Sequence, residues 1–105
     1  PIELAPPLPP PPNLFKSHYP RELFVRGRPE AFALLTALPQ FGFAVVGTRR
    51  PQARSIQLVR SRIRSLESSQ LIILSGLALG IDSAAHEAAL EVGLPTIAVL
   101  GGSIQ

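Results

Sequence analysis

Two short turns carry most of the chemistry that this chain offers. Gly47-Thr48-Arg49-Arg50 follows the apolar run Phe43 to Val46, and Ser75 to Asp82, with glycines at Gly76 and Gly80, follows Leu71 to Leu74. A helix signal comes after each turn, so both belong at the carboxyl end of a parallel strand, the edge where open α/β sheets bind ligands. Backbone N–H groups and helix N-termini collected at such an edge attract anions. The first turn adds a hydroxyl and two guanidinium groups, and adjacent arginines repel one another unless an anion sits between them. Phosphate is therefore the expected ligand of Gly47, Thr48, Arg49, Arg50, Gly76 and Gly80. The plainer alternative is that the glycines only permit tight turns and close packing, with the arginines solvated.

Gly76 and Gly80 lie four apart, which is not the GxGxxG spacing of a dinucleotide fingerprint. Ser75 stands at the end of the second strand where an acidic residue would hold a ribose hydroxyl, so NAD binding is disfavoured and no cofactor is expected. Asp82 and His86 share one helical face and could form a catalytic or metal pair. Alternatively, Asp82 or Ser83 caps the helix while His86 bonds nearby backbone or packs beside the sheet. With only His18 besides, and no cysteine, a metal would lack ligands. No catalytic residue and no metal ligand is assigned.

The elements that position these residues read as follows. Residues 1–18 form a proline-rich arm or linker, since seven of the twelve prolines fall in the first dozen residues and exclude helix and sheet ladder. Leu23 to Gly27 is a brief extended piece, and a helix starts at Pro29 and stops before Pro39. Phe43 to Val46 is a strand covered on both faces. Ile56, Val59, Ile63 and Leu66 line one side of a helix from Gln52 to Ser68, with Leu58 outside the stripe and Arg54, Gln57, Ser61 and Arg64 opposite it. Leu71 to Leu74 is a second buried strand. Ala85, Ala88, Ala89 and Val92 give the helix Ser83 to Val92 a face of small residues that lets it lie close to the sheet. Gly93 suits the left-handed position after that helix, and Thr96 to Leu100 is the third strand. The fold class is α/β and Rossmann-like: a parallel sheet with a β-α-β-α-β core, half of a doubly wound fold, occupying residues 19–105.

Net charge is +3, and nine of the ten basic residues are arginine. Arg49, Arg50, Arg54, Arg60, Arg62 and Arg64 fall in one window without Asp or Glu, a pattern that fits a nucleic-acid or nucleotide partner and offers a phosphate track along the first helix. The absence of cysteine excludes disulfides and cysteine-ligated zinc and suits a cytoplasmic protein. No stretch approaches the roughly 20 apolar residues of a membrane span.

Taken together, Tyr19-Pro20, Leu23 to Gly27, AVVGTRRP (Ala44 to Pro51), SGLALGIDSAAHEAAL (Ser75 to Leu90) and PTIAVLGG (Pro95 to Gly102) resemble the DNA processing protein A (DprA/Smf) family. The resemblance implies a Rossmann-like domain, without catalysis, that binds single-stranded DNA during natural transformation, helps load the recombinase RecA, and forms a homodimer. It also implies that Arg49 reaches the DNA and that Ser75, Gly76, Ala78 and Gly80 belong to the binding loop. Two departures stand out: Leu79 replaces an arginine usual in that loop, and the family domain continues for about another hundred residues, one domain's worth. The alternatives are an enzyme similar to the cytokinin-activating phosphoribohydrolases, whose PGGxGT loop is not matched by Gly101 to Gln105, or a truncated unit whose role is assembly.

Overall fold

The computed structural model describes residues 2–4, 24–76 and 79–100, the first three through their backbone alone. The chain divides into two units, Pro1–Gln40 with Ile104–Gln105, and Phe41–Ser103.

In the first unit, β1 (Ile2–Leu4) pairs antiparallel with β2 (Phe24–Arg26), Glu3 opposite Val25. The arm was expected to take no part in a sheet ladder, yet Ile2–Leu4 does, because these three residues between Pro1 and Pro6 are not proline and have N–H groups to give. The prolines of the arm, Pro6, Pro7 and Pro9 to Pro12, lie outside the described residues. Pro29 opens the short helix α1 (Pro29–Phe32). The expected helix does not run on to Ala37. It tightens into a 3-10 segment over Ala33–Ala37, and a further turn, α2 (Leu38–Phe41), includes Pro39 instead of stopping before it. Pro39 has no N–H for the carbonyl of Leu35, four residues back, and the Leu38 N–H takes that carbonyl three residues back. At the start of a new turn the missing N–H is no loss.

The second unit holds three parallel strands in the order β3 (Gly42–Ala44), β4 (Ile72–Ser75), β5 (Thr96–Ala98), joined by α3 (Ala53–Arg64) and α4 (Ile81–Val92). Gly42 pairs with Ile72 and Ile73 with Thr96. The ladder runs one residue further at the carboxyl edge, through Val45 N–H to Leu74 O and Val99 N–H to Ser75 O, both 2.8 Å. The β-α-β-α-β order expected from the sequence is the order observed. One detail differs: β3 was expected to be covered on both faces, yet Gly42, Phe43 and Ala44 are all exposed. Among the described residues β3 stands at the edge of this sheet, with β4 as its one partner. The central strand β4 keeps Ile72 and Ile73 buried.

Both helices share one core with the sheet. Ile63 of α3 meets Ile73 of β4 and Ala85, Ala88 and Ala89 of α4, and Val45, Val59, Leu66 and Val92 pack around them. The alanines bring the α4 backbone close to both neighbours, as the small-residue face requires. Leu58 is exposed, as its place outside the stripe demands. α3 ends at Arg64 rather than Ser68, because bonds spanning three residues replace the helical ladder (Leu66 N–H to Ile63 O, Glu67 N–H to Arg64 O) and the Ser65 hydroxyl donates to Arg62 O at 2.6 Å. α4 closes on Gly93 at φ 79°, and Leu94 folds back to bond Ala89 O at 2.9 Å while burying its side chain in the core.

Across the outer surface of the helix pair, Arg60 donates to Glu87 (2.7 Å) and Glu91 (3.0 Å), and Arg64 reaches Glu91 at 3.4 Å. The side chains of Glu87, Glu91 and Arg64 are about half exposed and that of Arg60 less so, so Glu91→Ala is expected to lower stability by about 1 kcal/mol, and by less at high salt. Urea midpoints at two salt concentrations measure this; a larger loss that persists at high salt would contradict it.

Candidate nucleic-acid interface

The two glycine turns meet at the carboxyl edge of the sheet, and they meet through backbone. The Ile81 N–H, first of α4, donates to Thr48 O at 3.1 Å. Gly47 lies against Ile81 so closely that a Cβ on it would sit 2.7 Å from the Ile81 Cβ. Gly80 has φ 86° and ψ −124°, and a Cβ there would fall 2.8 Å from the Arg49 carbonyl carbon and from Pro51 Cδ, with Thr48 O closer still. Gly80 is thus required twice, for its backbone conformation and for the space it leaves. Its own carbonyl accepts the Ala84 N–H at 3.0 Å, which starts α4 at Ile81, two residues before the expected Ser83.

Within the first turn the Arg50 N–H donates to the Thr48 hydroxyl oxygen at 3.1 Å, a side-chain turn that fixes the loop and leaves the hydroxyl proton free to donate outward. Gly47, Thr48, Arg49 and Arg50 are exposed. Among the described residues no carboxylate pairs with Arg49 or Arg50, and the N–H groups of Gly47, Thr48 and Arg49 carry no hydrogen bond. Positive charge and unbonded donors therefore occur together on one exposed turn.

The second turn is arranged differently. Ser75 is buried and its hydroxyl donates to Val45 O, tying β4 to β3. The peptide groups of Gly76 are bracketed by side chains one helical turn apart on α4: its N–H donates to Asp82 Oδ2 at 3.2 Å, and its carbonyl accepts from His86 Nε2 at 2.6 Å. A carbonyl oxygen only accepts, so Nε2 carries a proton, and in the neutral ring Nδ1 accepts the Thr96 hydroxyl at 2.6 Å. Asp82 and His86, which could have been a catalytic or metal pair, both act on the Gly76 backbone. Neither Asp82 nor Ser83 caps α4, since Gly80 holds the cap position and no side chain bonds there. Asp82 is buried in the first turn of α4, where the helix dipole favours a carboxylate, and its Oδ1 has no partner among the described residues. The start of α4 thus already holds a carboxyl group of the chain's own, and among the described residues the donors left over for a ligand lie on the first turn. Ala78 lies outside the described residues.

Residues 47–50, Gly80 and Ile81 are therefore in one place, while Ser75 and Gly76 sit behind them with their polar groups engaged. The phosphate track along α3 shortens: Arg60 and Arg64 are occupied by Glu87 and Glu91, and Arg54 and Arg62 remain exposed. Two acidic residues four apart on α4 facing two basic residues four apart on α3 were visible as a pattern in the sequence, but only in helices known to be neighbours. No helix among the described residues is long and apolar enough to cross a membrane.

Comparison with known proteins places this edge in context. The model of the DNA recombination-mediator protein A family matches residues 11–105, nearly the whole chain and both turns. The chain belongs to this family. Protein Smf of Escherichia coli (strain K12) is 41% identical over 95 residues, 90% of this chain and 24% of that protein. The DNA processing protein DprA of Bacillus subtilis (strain 168) is 35% identical over 96 residues, 90% of this chain and 31% of that protein. The X-ray structure of DNA processing protein A from Streptococcus pneumoniae superposes with a TM-score of 0.58 and 48% identity, covering 64% of this chain and 23% of that one. At that identity the match extends the DprA/Smf resemblance from motifs to the Rossmann-like α/β fold. The chain spans about a quarter to a third of the length of these curated relatives.

Proposed function

We propose that this member of the DprA/Smf family contributes the phosphate-binding edge of a non-catalytic module for single-stranded DNA. In this reading Arg49 and Arg50 contact phosphate, and the Thr48 hydroxyl and the N–H groups of residues 47–49 add donors. Gly80 and Ile81 brace the turn, and Ser75 and Gly76 belong to the loop that leads to them; Ala78, expected to join that loop, lies outside the described residues. The wider role that goes with it is DNA uptake in natural transformation and the loading of a RecA-type recombinase, by a homodimer in the cytoplasm. The observation that carries the reading is the backbone lock between Thr48 and Ile81, at 3.1 Å, with two exposed arginines beside it that lack a carboxylate partner among the described residues. An edge built this way is pre-organised for an anion. Similarity to DNA processing proteins supports the choice of DNA as the source of that anion.

Fluorescent oligonucleotide binding measured against salt tests the assignment. Each phosphate contact on a single strand contributes about 0.7 to the slope of log K against log salt. Arg49→Ala is expected to weaken binding and to reduce the slope by about that amount. Affinity and slope both unaltered would remove Arg49 from the interface.

A further inference from the structure

The exposed apolar residues of the carboxyl edge are not explained by phosphate contacts. Leu79 is 74% exposed and Val46 is 79% exposed, each adjoining a glycine of the backbone lock, while Val99 at the end of β5 is 62% exposed. The lock fixes where Leu79 stands: it precedes Gly80, whose Cα is packed against Thr48 and Arg49. A large aliphatic side chain is thereby exposed beside the turn that carries Arg49 and Arg50. No aromatic residue occurs among the described residues of this edge, 45–52, 75–76, 79–82 and 98–100. The apolar surface beside the arginines is aliphatic.

A single strand presents these two chemistries together, charged phosphates along one side and apolar base faces along the other. Aliphatic side chains, leucine among them, serve elsewhere as wedges against and between bases. We infer that Leu79, with Val46 at the same edge, is a base-contacting wedge for the strand whose phosphates Arg49 and Arg50 hold. This inference rests on the proposed function. Charge complementarity selects the occupant, because the apolar residues adjoin a turn that carries two exposed arginines, and an uncharged or cationic surface gains nothing from that charge. The wedge makes part of the affinity independent of salt, since base contacts release no counterions.

The test uses the 105-residue chain with two probes, a short oligothymidylate and an abasic oligonucleotide of equal length. Leu79→Ala is expected to weaken oligothymidylate binding about fivefold, as loss of a partly buried leucine contact does. The salt slope stays unchanged and the abasic strand binds as before. Leu79→Phe is expected to strengthen binding of oligothymidylate and not of the abasic strand. Equal effects of Leu79→Ala on both probes, or none on either, would overturn the inference. A change in solution mass with both affinities intact would also overturn it, assigning Leu79 to contact between copies of the chain. Arg49→Ala measured alongside keeps the two ideas apart: an unaltered affinity and slope in that variant sinks the phosphate reading itself, whereas a normal Arg49 effect with a silent Leu79 sinks the wedge alone.

Discussion

Replacing Gly80 with alanine is expected to lower the unfolding free energy by about 3 kcal/mol or more, the largest loss for any single methyl group added to the second unit. Two causes act together. At φ 86° and ψ −124° the residue lies outside the left-handed helical region that other residues occasionally enter, which alone costs about 1 to 3 kcal/mol. The added Cβ would also collide with Thr48 O, the Arg49 carbonyl carbon and Pro51 Cδ. The first two are backbone atoms that no rotamer change can clear, so the Gly47–Arg50 turn must move away from α4. Urea denaturation of the chain measures the loss. A Gly80→Ala protein with an unshifted midpoint would mean that the two turns are not held as described.

His86→Ala is expected to cost about 2 kcal/mol. It strands the Gly76 carbonyl and removes the Thr96 partner in one step, and each polar group left unpaired in a part-buried site costs about 1 to 3 kcal/mol. Glutamine carries an N–H donor of comparable reach, so His86→Gln should recover a large part of the loss if the hydrogen bond to Gly76 is the cause. The same urea titration separates the two variants. Equal destabilisation by alanine and glutamine would show that ring packing, rather than the bond to Gly76, is what His86 supplies.

The order of elements in the second unit was legible because periodicity reports it directly. Val59, Ile63 and Leu66 face the core as their spacing required, Leu58 faces water, and Gly93 ends α4 in the left-handed conformation. Element ends were less legible, because competing local bonds decide them. Leu66 and Glu67 exchange helical bonds for tighter ones, and Pro39 lies in a new turn instead of ending a helix. The fold around the candidate site was readable as far as the strand ends and no further. Nothing in the period of a sequence says which loop touches which, so the contact of Gly80 with Thr48 and the bracketing of Gly76 by Asp82 and His86 required coordinates. Charge was misleading in one respect. The acid-free window that contains Arg60 and Arg64 is acid-free only in sequence, since Glu87 and Glu91 come to it from the neighbouring helix.

In the proposed phosphate edge the two turns divide the work: one supplies the charge and the other holds it in place. Burying Asp82 at the start of α4 fits that division, because a carboxylate there takes the favourable position at the helix end and leaves the first turn as the exposed positive element.

The most direct measurement is an NMR titration of the isotope-labelled chain with a short oligothymidylate, following backbone amides and arginine side-chain N–H signals. The account predicts that the largest shifts fall on residues 47–50 and on Gly80 and Ile81, with the Arg49 guanidinium signal moving and those of Arg60 and Arg64 nearly still. Shifts confined to the exposed face of α3, around Arg54 and Arg62, with the Gly47–Arg50 turn unmoved, would contradict it.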